Sequence, residues 1–276
     1  MRLLAHGYHA GLTIPVYHAD ALFGFVFFNS RRKNIFTSSL LDLLNLFSLI
    51  LASQIIREIT HVRTMTAAIR TTQNITRHKD EETGGHLQRM AHYSRLIAAT
   101  LAEQNGFSDE FIEYILLFAP MHDIGKVAIP DVILSKPGKL EPEEFNVMKG
   151  HTSIGRDIID NMLEEFSFCE FLHVDMLRNI VELHHEAIDG SGYPYGLKGQ
   201  EIPIEARICA VADIFDALTS RRPYKPAWSN EKACATLQEM AGAKLDRDCV
   251  MALLNNMEKL QEIQTHFGEE TGNSGL

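Results

Sequence analysis

The chain has 276 residues, 45% hydrophobic and 22% charged, values of a folded globular protein that exclude a disordered or low-complexity one. Its net charge is −10, from 26 basic and 36 acidic residues, so it lacks the basic excess that a broad DNA- or RNA-binding surface needs. The length suits one ordinary domain with an appendage.

The start, Met1 to Gly7, is broken by glycine and histidine and does not read as a signal peptide. Leu12 to Tyr17 and Ala21 to Phe28 are short apolar runs separated by His18-Ala19-Asp20, the pattern of a β hairpin. A lone hairpin cannot bury both faces. With Phe36 to Leu40 behind it, this stretch resembles the closing hairpin and last helix of a GAF sensor domain, of which it would be about the last third. The alternative is a hairpin that packs on its own helix or on a partner chain. Ser38 or Ser39 is an N-cap for a long helix running to Lys79. Leu40, Leu44, Phe47, Leu51, Ile55, Ile59, Val62, Met65 and Ile69 form one seam at spacings of three and four, which predicts a parallel homodimer; folding back on the same chain is the alternative. The apolar run Leu40 to Ile56 is interrupted by Asp42, Asn45, Ser48, Ser53 and Gln54 and reads as too short and too polar to span a bilayer. Cys169, Cys209, Cys234 and Cys249 show no C-x-x-C spacing. They read as reduced thiols, and the expectation is a cytoplasmic protein without membrane insertion.

Glu81-Glu82-Thr83-Gly84-Gly85 ends the long helix, and His86, Met90, Tyr93, Ile97 and Leu101 form the stripe of the next, which stops at Asn105-Gly106. Ser108 caps a helix carrying Phe111, Ile115 and Phe118 into Met121-His122-Asp123, with a kink expected at Pro120. Val127 to Gly138 reads as a loop, and Pro142 begins a helix through Met148 and His151 to about Leu163. Leu177 to Glu186 and Ala206 to Thr219 are helical, flanking a Gly/Pro loop from Ala187 to Pro203. Helices over 229–241 and 246–260 precede a polar tail. The body is all-α.

Imidazoles and carboxylates recur in this body at places where burial is costly unless something holds them. His122, Asp123, His151, His184, His185 and Asp213 are the candidates, Asp213 lying in the apolar run Val-Ala-Asp-Ile-Phe-Asp-Ala-Leu. Each alone fits a hydrogen-bonded core residue. Together they are the donor set of a two-metal site, with Asp123 able to bridge. Adjacent helical positions point about 100° apart, so His184 and His185 could serve different ions.

The run His122-Asp123-Ile124-Gly125-Lys126, followed by Ile129-Pro130-Asp131, Lys136 to Leu140 and Glu144-Phe145, resembles the HD superfamily of phosphohydrolases. His184 to Pro194, His-His-Glu-Ala-Ile-Asp-Gly-Ser-Gly-Tyr-Pro, is similar to the signature of its HD-GYP branch, enzymes that hydrolyse bacterial cyclic dinucleotides, chiefly cyclic di-GMP. The likeness covers about residues 80–260. It departs at Gly242 to Arg247, which lacks the Phe and Pro usual there.

The resemblance implies an HD-type helical bundle over 80–262; the residues themselves give a small β hairpin over 1–37 and a linker and dimerisation helix over 38–79 ahead of it, and a flexible tail over 263–276 behind it. It implies metal ligands at Glu82, His86, His122, Asp123, His151, His184, His185 and Asp213. Glu82 and His86 come from it alone, since a glutamate ahead of a helix is ordinarily a solvated charge. Two or three divalent ions are implied, the third going with Glu82, and iron or manganese suits the mixed donors. The implied reaction is attack of metal-activated hydroxide on the phosphodiester of cyclic di-GMP, giving linear pGpG and then GMP. Asp123 and Lys126 are the implied catalytic residues, and Lys126, Tyr193, Arg222 and Lys225 the implied substrate contacts, with a surface role the alternative for Lys126. Alternatives are 3′,3′-cyclic GMP-AMP as substrate, or a non-catalytic receptor or scaffold that engages the nucleotide or a GGDEF-type synthase. The Gly-Tyr-Pro loop disfavours a generic nucleotidase.

Overall fold

The computed structural model of the chain describes residues 7–18, 21–79, 84–165, 173–220 and 227–268. They fall into two compact units, Met1–Ala68 and Ile69–Leu276, divided inside one continuous helix.

In the first unit, β1 (Ala10–His18) pairs antiparallel with β2 (Ala21–Ser30), Leu12 opposite Phe28 and Ile14 opposite Val26, with a bulge between Val16 and Tyr17. The period of two turns Leu12, Ile14, Val16, Val26 and Phe28 to one face, the more buried one. Phe28 meets Phe47 of helix α1 (Ser38–Lys79) edge-on, ring centroids 6.4 Å apart. The other face carries Phe23, Phe25 and Phe27, the last 64% exposed. Helix α1 has 42 residues, about 63 Å at 1.5 Å per residue. Ser48 and Ala52 are buried, whereas Leu43, Leu46, Leu49 and Ile50 are more than half exposed. The narrow seam is thus too simple a reading. Phe47, Leu51, Ile55 and Val62 of that seam are themselves over a third exposed, and apolar side chains occupy most of the circumference of the first four turns. The argument from length against a membrane span is also corrected. Ser38–Ala68 holds 31 helical residues, with an 18-residue window of mean hydropathy 1.8, long and apolar enough by those two measures to cross a bilayer. The interrupting residues include one acid, too little to lower that mean.

The second unit is helical. Helix α2 (Gly84–Asn105) runs through its middle, against α3 (Asp109–Phe118), α8 (Ile204–Thr219), α10 (Arg247–Leu254) and α11 (Met257–His266). Its stripe buries Met90, Tyr93, Ile97 and Leu101, and Tyr93 meets Phe215 of α8 edge-on at 5.2 Å. Burying a side chain of that size contributes about 1.5–3 kcal/mol. Ser108 caps α3 by accepting from the Phe111 amide, as its sequence predicts. The α-helix gives way after Phe118 to a 3-10 turn, Ala119–Met121, because Pro120 has no amide hydrogen to donate.

Further boundaries differ from the sequence reading. The stretch from Pro142 is two helices, α5 (Pro142–Lys149) and α6 (His151–Glu165), separated at Gly150. The stretch 246–260 is α10 and α11, separated at Asn255-Asn256, where the Asn256 side chain bonds back to Ala252. The stretch Val127 to Gly138 begins in the end of a 3-10 turn, Ile124–Ala128, and contains the short α4 (Asp131–Leu134). Helix α7 is Val174–Leu183, so His184 and His185 stand just past its end. Helix α9 is Asn230–Met240.

Candidate metal centre

The break at Pro120 leaves His122 and Asp123 between two 3-10 turns, with their side chains buried. The turn Ile124–Ala128 then lies flat on α6, because Gly125 has no side chain. A Cβ there would fall 1.9 Å from the His151 carbonyl oxygen. That contact brings the His122-Asp123 segment to His151. The end of α7, packed on α6, adds His184 and His185.

Asp123 is the centre. Its Oδ1 lies 3.1 Å from His151 Nε2 and 3.7 Å from His184 Nε2, while its Oδ2 lies 3.1 Å from His122 Nε2 and 2.8 Å from Lys126 Nζ. Donor atoms of Asp123, His151, His184 and His185 fall within 4.8 Å of one another, and those of His86, His122 and Asp213 do likewise. Asp213 Oδ1 is 3.9 Å from His122 Nε2. Neighbouring His184 and His185, expected to point apart, fall in one group, their rings 4.1 Å apart. Helix α7 ends at Leu183, with His184 as its C-cap in a helical conformation and a turn at His185.

Backbone carbonyls fix the ring orientations. His122 Nδ1 reaches Ala119 O at 2.9 Å, His151 Nδ1 reaches Met148 O at 2.7 Å, and His184 Nδ1 reaches Ile180 O at 3.0 Å. A carbonyl only accepts, so each Nδ1 carries the proton and each Nε2 turns its lone pair toward the cluster. Asp123 Oδ1, His151 Nε2 and His184 Nε2 are buried and lack hydrogen-bond partners of acceptable geometry. Leaving such atoms unmatched costs about 1–3 kcal/mol each. Inward lone pairs around a carboxylate are the donor chemistry of a divalent ion, and these residues fit one. Burial works against the Asp123 carboxylate, but the Lys126 ammonium 2.8 Å away leads the groups that hold its carboxyl well below the usual range. Burial and neighbouring histidines push His184 and His185 down, which keeps both rings neutral.

The Tyr193 ring lies 4.7 Å from that of His185, tilted 33° to it, and forms the wall of the site on the Gly-Tyr-Pro side. Burial, then Asp123 and Asp213, raise its hydroxyl, so it remains protonated. The loop bearing it is strapped down by Glu186, whose carboxylate accepts from the amides of Tyr195, Gly196 and Leu197 at 2.7, 3.1 and 3.0 Å. Gly192 is needed beneath it, since a Cβ would lie 2.3 Å from the Ala187 nitrogen. Asp189 accepts from the Ser191 amide and pairs with Lys244 at 2.9 Å, bracing the loop. The segment that departs from the HD-GYP pattern supplies that brace, and Lys244 O also accepts from the Ile188 amide.

His86, Lys126 and Tyr193 thus join the six ligands read from the residues themselves. Glu82, Arg221, Arg222 and Lys225 lie outside the described residues. Three polar residues at or behind the site had no role in the sequence reading: Arg89, Glu186 and Asp216, all buried. Asp216 left a trace, standing three residues after Asp213 in the same apolar run. Arg89 carries no such mark.

The cyclic di-GMP phosphodiesterase response regulator RpfG of Xanthomonas campestris is 45% identical over 199 residues, 72% of this chain and 50% of that protein. A probable cyclic di-GMP phosphodiesterase of Vibrio cholerae is 40% identical, over 70% of this chain and 44% of that one. The 3′3′-cGAMP-specific phosphodiesterase 2 of Vibrio cholerae is 37% identical, over 69% and 34%. The chain therefore spans half or less of the length of these relatives. The family profile described as HD domain matches residues 62–249, most of the chain and every residue from His86 to Asp213 named above, and the chain belongs to the HD domain family.

Proposed function

We propose that the chain is a metal-dependent phosphodiesterase that hydrolyses bacterial cyclic di-GMP to linear pGpG and then to GMP. The observation that carries this reading is Asp123, one carboxylate with an oxygen toward each of two His/carboxylate groups. His151, His184 and His185 would hold one ion with it, and His86, His122 and Asp213 another. Glu82, four positions before His86 in the sequence, would go with a third, with iron or manganese as the ions. Bound, such ions lower the pKa of a water toward neutrality and draw charge from a phosphodiester. The chain's own residues do the rest. Lys126, 2.8 Å from Asp123, offers an ammonium to a phosphate oxygen. Tyr193 closes the side of the site and limits water there, and Arg222 and Lys225 are the residues this reading assigns to phosphate and guanine. The intact donor set disfavours a non-catalytic receptor or scaffold.

Purified anaerobically and loaded with iron or manganese, the protein should convert cyclic di-GMP to pGpG, and His122→Ala with Asp123→Ala should abolish turnover. An uncut substrate would refute the reading. The 37% identity with a 3′3′-cGAMP-specific relative favours 3′,3′-cyclic GMP-AMP as the second candidate substrate, and parallel rates on both nucleotides decide.

The proposal places catalysis in 80–262, in the cytoplasm, with the helix of 38–79 joining two copies and 1–37 as the end of a GAF-like sensor. More than half-exposed Leu43, Leu46, Leu49 and Ile50 support the dimer, and a monomeric mass in light scattering would remove it. A GGDEF-type synthase is the protein partner this reading admits.

A further inference from the structure

Behind the donor cluster, between α2 and α8, lies a polar network that the proposed chemistry does not use. Asp216 is fully buried, yet both of its oxygens are matched. Oδ1 accepts from Arg89 Nε at 2.7 Å, and Oδ2 from Arg89 Nη2 at 3.0 Å, a two-pronged pairing. Oδ2 also meets His86 Nδ1 at 2.7 Å and accepts from Ser220 Oγ at 2.9 Å. Arg89 in turn donates to Ser220 Oγ and, through Nη1, to the Phe267 carbonyl at 2.9 Å. The carboxylate, its guanidinium and the hydroxyl thus form a rigid frame around one imidazole nitrogen.

The other histidines differ. His122, His151 and His184 present Nδ1 to main-chain carbonyls of their own helical turns. Among the described residues of the cluster, His86 is the one whose Nδ1 meets a charged side chain, drawn from a helix 130 residues away. An ionised carboxylate makes the imidazole a stronger donor at its far nitrogen than a carbonyl does. It also fixes where α8 stands against α2, and α8 carries Asp213 of the same donor group.

We propose that Asp216, clamped by Arg89 and Ser220, is a positioning residue that sets the tautomer and the ligand strength of His86, and so selectively tightens the ion site formed by His86, His122 and Asp213. This rests on the cluster being a metal centre. The site of Asp123, His151, His184 and His185 does not depend on the frame.

The test is a titration of metal-free protein with Mn²⁺ or Co²⁺ against a competing chelator, with bound metal counted at each step and Co²⁺ absorption followed. Asp216→Asn keeps the volume but offers one oxygen and one NH₂ where two acceptors are needed, so His86 or Arg89 faces a donor. One ion should weaken by about 10–100-fold while the tightest remaining ion keeps its affinity. Arg89→Lys, which keeps the charge and loses the fork, should fall between parent and Asp216→Asn, and supplies the same readout if that variant does not fold. Unchanged affinities, or an equal loss at every site, would overturn the proposal. A parent protein that binds no metal would overturn both it and the metal reading beneath it.

Discussion

A β-carbon added at Gly125 would lie 1.9 Å from the carbonyl oxygen of His151, 2.6 Å from the nitrogen of Gly155 and 2.8 Å from the His151 carbonyl carbon. All three are main-chain atoms of α6, so no side chain can swing aside. Moving the oxygen contact from 1.9 Å out to 3.4 Å, where ordinary contact begins, displaces the turn from the helix by about 1.5 Å. Overpacking of this kind costs about 1–3 kcal/mol, and backbone on both sides puts Gly125→Ala at the upper end. At about 2–4 °C per kcal/mol for a domain of this size, its melting temperature should fall by about 6–12 °C. The same displacement pulls Asp123 from His151, which stand 3.1 Å apart, and a misplacement of about 1 Å costs roughly 100-fold in rate. Thermal unfolding with and without Mn²⁺ and turnover of cyclic di-GMP are the assays, with Gly24→Ala as the control, because a Cβ there meets nothing within 4 Å. If Gly125→Ala melts and turns over like the parent, the turn is not seated on α6 as described.

Glu186→Gln leaves one acceptor oxygen where three amides converge, so about 1.5–3 kcal/mol of stability should be lost, with KM rising more than kcat falls; an unchanged melt would count against the clamp. Removing metal with a chelator should abolish turnover and lower the melting temperature by about 5–10 °C, the linkage expected when an ion stands about 100-fold above its Kd. Asp246→Ala removes the cap on the Cys249 amide and the partner of Arg207, at a cost of about 1–2 kcal/mol read by urea unfolding. Burial opposes ionisation of Asp246, but the Cys249 amide and Arg207 hold its carboxyl below 3.8. Its contribution is therefore full above pH 3.8 and lost as pH falls through the folded value, so parent and variant stabilities should converge in acid.

The donor set was legible because its chemistry is conspicuous along the chain: His122-Asp123 and His184-His185 are adjacent pairs, and Asp213 is an acid in apolar company. Helices with caps and clean periodicity, such as α2 and α3, were legible for the same local reason. What stayed hidden was decided by packing. The divisions at Gly150 and Asn255-Asn256 leave the apolar spacing intact on either side, so periodicity runs across them. Arg89 and Asp216 find each other over 127 residues, and no local pattern marks either as buried. His86 was found through family resemblance, since a histidine in a helical stripe is ordinary. The apolar breadth of α1 was visible in composition but was read as a single seam, because the spacing rule selects one face and ignores the others.

The strap formed by Glu186 consists of amide hydrogens, and every residue except proline brings one. It therefore measures the count of residues between position 186 and positions 195 to 197 and is indifferent to their identity. Ser191 or Ile188 can drift through mutation with little penalty to this strap, whereas a single inserted or deleted residue would put the wrong nitrogens under the carboxylate. Outside Asp189, Gly192 and Tyr193, which have contacts of their own, descendants of this chain can rewrite the loop's lettering while keeping its length.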